Sequence, residues 1–106
     1  MNRLMIVARL RDDAYDEAKT LLLEGPPYDP ETAGLEAHSA YLTASEVIFV
    51  FDGAEVEWKV NELIDDPSIA VFFAPWEKLI DGTPRLAHEH YHWKRGEEKL
   101  GVGLGV

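Results

Sequence analysis

The stretch Val47-Ile48-Phe49-Val50-Phe51 is the strongest strand signal in the sequence. All of its residues are β-branched or aromatic, which favours a β-strand over a helix. Because the residues on both faces of this strand are apolar, the strand needs cover on both sides. We therefore place it in the interior of a sheet.

One amphipathic helix is predicted before this strand in the sequence and one after it, each with apolar residues at positions i, i+4, i+7 and i+8. In the first helix these residues are Ala14, Ala18, Leu21 and Leu22. In the second helix they are Val56, Val60, Leu63 and Ile64. Asp12 and Asp13 can cap the first helix, Gly25-Pro26-Pro27 stops it, and Asp66-Pro67 ends the second.

Further strands are predicted at residues 3–10, 35–43, 69–74 and 85–94, with a single helical turn at residues 75–80. The resulting order is strand, helix, strand, strand, helix, strand, followed by one more strand. This is the α+β, ferredoxin-like β-α-β-β-α-β pattern with an antiparallel sheet and an extra C-terminal strand. The segment 25–34, rich in proline and glycine, is a surface connection that could cover a site.

The predicted sheet has one face without cover. Right-handed crossovers place both helices on the same face. The opposite face should then be polar in a monomer, yet the strands carry apolar residues on both sides. A second copy of the chain is the simplest way to cover this apolar face, so we expect a homodimer.

Composition bounds the domain organisation and the partners. With 106 residues and 46% apolar content, the chain can build one core, so we expect a single domain over residues 1–106. A glycine-rich, flexible tail is expected from about residue 96 to 106. The formal charge of −10 argues against nucleic acid and anionic membranes as partners. The absence of cysteine and of an evident signal or membrane segment favours the cytoplasm.

The order of elements, the length and the two-sided apolar strands resemble the dimeric α-β barrel superfamily over roughly residues 3–93. That resemblance implies two ferredoxin-like sheets packed face to face. The superfamily includes cofactor-free monooxygenases, haem-degrading enzymes, isomerases and ligand-sensing domains. The Asn-Trp-His arrangement of the haem-degrading members is not matched, since the only asparagines are Asn2 and Asn61. We expect no cofactor.

Histidines carry the most unusual local pattern. His88, His90 and His92 alternate along the last predicted strand and would share one face. Two imidazoles at that spacing could share a metal ion, but no carboxylate stands on the same face, so no metal site is predicted. His90 here and His38 in the second strand are the candidate catalytic bases, because an imidazole titrates near neutral pH. The competing interpretation is that these histidines are hydrogen-bonded scaffold or interface residues.

A flat apolar ligand would find large contact areas and a few polar groups on the aromatic side chains of the strands. The predicted ligand contacts are Tyr41, Trp76, His88, Tyr91, His92 and Trp93. The alternative for each aromatic residue is packing in a core or an interface.

The sequence thus predicts a homodimeric protein that binds a small, partly apolar molecule. Whether it turns that molecule over is open. An enzyme would be a cofactor-independent monooxygenase or an isomerase working by proton transfer. The alternative is a non-catalytic ligand-sensing or protein-interaction module.

Overall fold

The structure is a computed structural model that describes residues 2–26 and 28–96. Its strands are β1 (Asn2–Arg9), β2 (Ala37–Leu42), β3 (Glu46–Gly53) and β4 (Arg85–His88). Its helices are α1 (Tyr15–Leu23), α2 (Val56–Asp65) and α3 (Pro67–Glu77). The four strands form one antiparallel sheet in the order β2-β3-β1-β4. The α+β, ferredoxin-like fold is confirmed.

Strand β3 lies inside the sheet, as its apolar sequence predicts. It pairs with β1 along one edge and with β2 along the other. Val47 and Phe51 on one face and Val50 on the other are all buried. The turn from β2 to β3 is closed by the Thr43 hydroxyl, which accepts hydrogen bonds from the backbone N–H groups of Ser45 and Glu46.

All three helices cover the same face of the sheet, where the buried residues form two clusters. The first cluster joins α1 and α3 to the sheet through Ala8, Leu10, Ala14, Ala18, Val47, Trp76 and Leu79. The second joins α2 to the sheet through Leu4, Leu35, Phe51, Val56 and Val60. The apolar stripes of the first two helices thus face the core as predicted, although Ile64 at the end of α2 is exposed.

The predicted cap of α1 is wrong. The N-cap residue is Ala14, and no side chain caps the helix. Asp13 adopts a left-handed backbone conformation with φ of 67°, which turns the chain into the helix without a capping carboxylate. The predicted stop is confirmed, because α1 ends before Gly25, whose φ of 87° suits glycine.

The predicted strand at residues 69–74 is wrong, because this run lies inside helix α3. A short, wholly apolar run has no periodicity that separates a strand from a buried helix. Asp66 has an extended backbone, as expected of a residue before proline, and Pro67 is then the first helical residue. The helix also continues through Pro75 to Glu77. The sequence predicts a separate helical turn at residues 75–80, but residues 75–77 are the C-terminal end of α3.

The last strand is shorter than predicted. Strand β4 ends at His88, which pairs with Leu4 of β1. Since β1 begins at Asn2, hardly any of the partner strand is left for residues 89–94 to pair with. Among the described residues β4 therefore takes the place of the fourth strand, and the extra C-terminal strand is not formed. Residues 97–106, most of the predicted tail, lie outside the described residues.

The second face of the sheet carries no helix. Half-buried Met5, Val7 and Ile48 surround buried Val50 at its centre. At one end, the Arg3 guanidinium donates two hydrogen bonds to the carboxylate of Asp52, at 2.6 and 3.2 Å. No helix in the described part of the chain is long and apolar enough to cross a membrane.

Candidate functional site

A cavity of about 820 Å³ lies between the sheet and its helices. Its sheet side is formed by Ile6, Ala8, His38, Ala40, Phe49 and Phe51. Its helix side is formed by Leu21, Leu22, Leu63, Ile64, Phe73 and Trp76. The cavity opens to solvent near Arg11, Gly25 and Gly82, which are exposed members of the wall. A space of this size and apolar character is typical of a site for a small organic molecule.

His38 is the imidazole in the cavity wall. The β2–β3 register puts it opposite Phe51, and alternation along β2 turns it toward the helices. Its ring stacks on that of Phe51, with centroids 4.7 Å apart and planes 21° apart. Its Nδ1 lies 3.0 Å from the carbonyl oxygen of Val50. Strand pairing and ring stacking therefore fix the orientation of this imidazole.

The hydrogen bond at Nδ1 sets the chemistry of His38. A carbonyl oxygen can only accept, so Nδ1 must carry the proton. In the neutral ring Nε2 is then the unprotonated nitrogen, with a lone pair that can take a proton. The hydrogen bond to the backbone carbonyl thus holds the imidazole in one orientation, which a general base requires.

Tyr28 lines the cavity from the connection between α1 and β2. Its ring centroid lies 5.9 Å from that of His38, and the planes are tilted by 43°. The ring packs against the second core cluster. None of the described residues forms a hydrogen bond with its buried hydroxyl group. Burial raises the pKa of Tyr28 to about 12, so the phenol stays protonated at neutral pH.

Trp76 is the second predicted site residue in the cavity wall. It lies on α3, is 8% exposed, and contacts Phe49 edge to face at 5.3 Å and 87°. It therefore serves both the core and the cavity. This dual position fits both interpretations offered by the sequence, packing and ligand contact.

The other predicted site residues lie away from the cavity wall. Tyr41 is on the second face of the sheet, where it is 57% exposed. His88 faces α2, and its Nδ1 lies 2.6 Å from Oε2 of Glu57. The remaining residues follow β4 in an exposed segment without regular structure: His90, Tyr91, His92 and Trp93.

The histidine pattern is thus divided among different environments. Only His88 belongs to a strand, and His92 Nδ1 lies 3.6 Å from Oε2 of Glu89. Within residues 2–26 and 28–96, no three His, Asp or Glu side chains are close enough together to hold a metal ion. The described geometry brings together His38 and Trp76, and it adds Tyr28, which the sequence did not single out.

Comparison with known proteins finds solved structures with a similar fold. No family model and no curated protein matches the chain. A solved antibiotic biosynthesis monooxygenase is 8% identical, with a TM-score of 0.64 over 87% of this chain and 99% of that one. Rv0793 of Mycobacterium tuberculosis is 15% identical, with a TM-score of 0.61 over 90% and 98%. The chain shares the ferredoxin-like α+β fold of these structures.

A third structure with a similar fold comes from Agrobacterium tumefaciens. It is a NIPSNAP-family protein of unknown function, 13% identical, with a TM-score of 0.62 over 84% of this chain and 87% of that one. At these identities the likeness concerns the fold alone. The resemblance inferred from the order of elements is confirmed at that level, and the chemistry must be argued from the side chains.

Proposed function

We propose that the cavity between the sheet and the helices binds a small, partly apolar molecule and that His38 is the general base acting on it. One observation carries this proposal. The imidazole of His38, which is held at Nδ1 by a backbone carbonyl and therefore has its free lone pair on Nε2 when the ring is neutral, is part of the wall of a mostly apolar cavity. A base in such a place can take an acidic C–H proton from a bound molecule.

The reaction that we propose is a cofactor-independent oxygenation. His38 removes a proton from a methylene group beside a carbonyl, and the resulting carbanion gives its electrons to O₂. Overall, R–CH₂–C(O)–R′ and O₂ give R–C(O)–C(O)–R′ and H₂O, so O₂ is the only oxidant. Support comes from the solved antibiotic biosynthesis monooxygenase that shares the fold. An isomerase would use the same first step and return the proton to another carbon.

The ketone 2-tetralone is a suitable probe, because it is apolar and has an acidic methylene group. Exchange of that hydrogen for deuterium in D₂O, followed by NMR without oxygen, measures proton removal alone. Oxygen uptake in air measures the second step. We expect the protein to accelerate both above the buffer rate.

The outcomes separate the candidate functions. Faster exchange without oxygen uptake would favour an isomerase. Saturable binding of 2-tetralone without faster exchange would favour a non-catalytic ligand sensor. Binding that is absent, or insensitive to changes in the cavity wall, would contradict the proposed site.

We also propose that a second copy of the chain covers the helix-free face of the sheet. Met5, Val7 and Ile48 form an apolar centre there, and the exposed ring of Tyr41 extends it. Apolar residues at the centre of an open sheet face are typical of an interface.

Light scattering after size-exclusion chromatography tests the homodimer. A charge at Tyr41 would be buried without a partner in the dimer, so Tyr41→Glu should yield folded monomers. Tyr15→Glu is the matched control, because Tyr15 is also an exposed tyrosine but lies on α1. Monomeric wild-type protein, or a dimer that survives Tyr41→Glu unchanged, would contradict the proposed interface.

A further inference from the structure

We propose that the hydroxyl of Tyr28 is the hydrogen-bond donor that selects the ligand, and that it recognises a ketone or another neutral oxygen on an apolar ring system. This inference rests on the proposed function, since it assigns a ligand chemistry to the same cavity. It adds a specificity-determining residue that acts beside His38.

The first argument is the state of the hydroxyl in the structure. It is buried, and no hydrogen bond from the described residues compensates for its lost contact with water. The ring meanwhile packs on an apolar cluster that includes Leu4, Leu35 and Phe51. A phenylalanine would make the same ring contacts without the cost of burying an unpaired polar group. The hydroxyl therefore needs a function that packing does not supply.

The second argument is position. The Tyr28 ring belongs to the cavity wall and lies 5.9 Å from the His38 ring. A ligand acceptor that reaches the hydroxyl supplies the partner that it lacks, and no hydrogen bond with the described residues has to break. The free energy of that new bond then favours a ligand that offers an acceptor at this point.

The third argument is the protonation state, which decides the class of ligand. A phenol is protonated at neutral pH, and burial raises the pKa of Tyr28 further, to about 12, so Tyr28 donates and carries no negative charge. In the neutral ring of His38, Nε2 is the complementary acceptor. A donor and an acceptor in one apolar wall suit a neutral ketone whose oxygen binds Tyr28 and whose adjacent C–H group faces His38. As negative charge develops on that oxygen, the same hydrogen bond strengthens.

Fluorenone and fluorene are the probes, because they share a ring system and differ in the carbonyl oxygen. Their affinities are measured by quenching of tryptophan fluorescence, which Trp76 in the cavity wall makes sensitive to binding. The wild-type protein should prefer fluorenone about fivefold, the worth of one neutral hydrogen bond. Tyr28→Phe should abolish that preference and leave fluorene binding unchanged. It should also melt at the same or a higher temperature than the wild type.

Tyr41→Phe is the matched control, because it removes a tyrosine hydroxyl from the opposite face of the sheet. It should retain the preference for fluorenone. A preference that survives Tyr28→Phe, or equal binding of both probes by the wild type, would overturn this inference while leaving the cavity as a binding site. A marked loss of melting temperature in Tyr28→Phe would also overturn it, since the hydroxyl would then have a structural partner. Wild-type protein that binds neither probe would contradict the proposed function itself.

Discussion

Replacement of His38 by phenylalanine separates the structural contribution of this residue from its chemical one. Phenylalanine keeps a flat ring that can stack on Phe51, but it loses both nitrogens. The hydrogen bond to the Val50 carbonyl, at 3.0 Å, is therefore lost. One such bond contributes about 1 kcal/mol, which lowers the melting temperature of a domain of this size by roughly 4–8 °C.

The chemical effect of His38→Phe should be much larger than the structural one. A positioned general base contributes about 10²- to 10⁴-fold to a proton transfer. The rate of methylene hydrogen exchange in 2-tetralone should fall by about that factor at a temperature where the variant is folded. Fluorene should still bind, because the apolar wall is intact. Exchange measured by NMR, together with a thermal melt, gives both quantities.

His90→Phe is the matched control for this experiment, since His90 is the other imidazole that the sequence nominates as a base. His90 is exposed and lies outside the cavity wall. We expect this control to keep the wild-type exchange rate and melting temperature. If instead His90→Phe abolished exchange and His38→Phe left it within a few-fold of the wild type, the assignment of the base would be refuted.

Two further changes test the cavity and the segment that carries Tyr28. Ala40→Phe adds a ring inside the cavity and should weaken fluorenone binding about tenfold. Ala37→Phe, on the other face of β2, is the control and should leave the affinity unchanged. Both affinities are measured by fluorescence titration. Equal weakening by both variants would argue against the cavity. Asp29 accepts hydrogen bonds from the Thr32 hydroxyl and from the backbone N–H two residues after it, and they lower its pKa below 3.8. A lowered folded-state pKa means that its contribution to stability is present above pH 3.8 and is lost as the pH falls through the folded value. The urea midpoint of Asp29→Ala should therefore lie below that of the wild type at pH 7, and the two should converge as the pH falls below the folded-state pKa of Asp29. A constant difference would contradict the assignment.

The parts of the fold with a periodic pattern could be predicted from the sequence. The spacing of Ala14, Ala18, Val56 and Val60 identified two helix faces, and those residues are buried. The composition of residues 47–51 identified the interior strand. These patterns are predictive because the periodicity of a helix or strand itself decides which of its residues face the core.

The prediction failed where tertiary context decides. The apolar run at residues 69–74 has no periodicity, and its helical state depends on the start at Pro67. Alternation alone extended the last strand to residue 94, but its length is limited by the residues that β1 offers for pairing. Because β4 ends at His88, the predicted alignment of His88, His90 and His92 on one strand face is not formed.

The candidate site could be predicted only in part. The sequence nominated His38 as a base because it is an imidazole in a strand, and it nominated Trp76 for its aromatic ring. Nothing in the sequence showed that the two residues share a cavity. Tyr28 was missed because it stands in an irregular connection with no periodic pattern. Its one signal is a large aromatic residue within a segment rich in proline and glycine.

A crystal structure of the wild-type protein with fluorenone bound would test the central claim most directly. Our account predicts the ring system between the sheet and the helices, in contact with Phe49 and Trp76, with the carbonyl oxygen within hydrogen-bond distance of the Tyr28 hydroxyl and His38 beside the ring. A probe bound instead on the helix-free face, or against the segment that follows β4, would contradict the assignment of the cavity as the functional site.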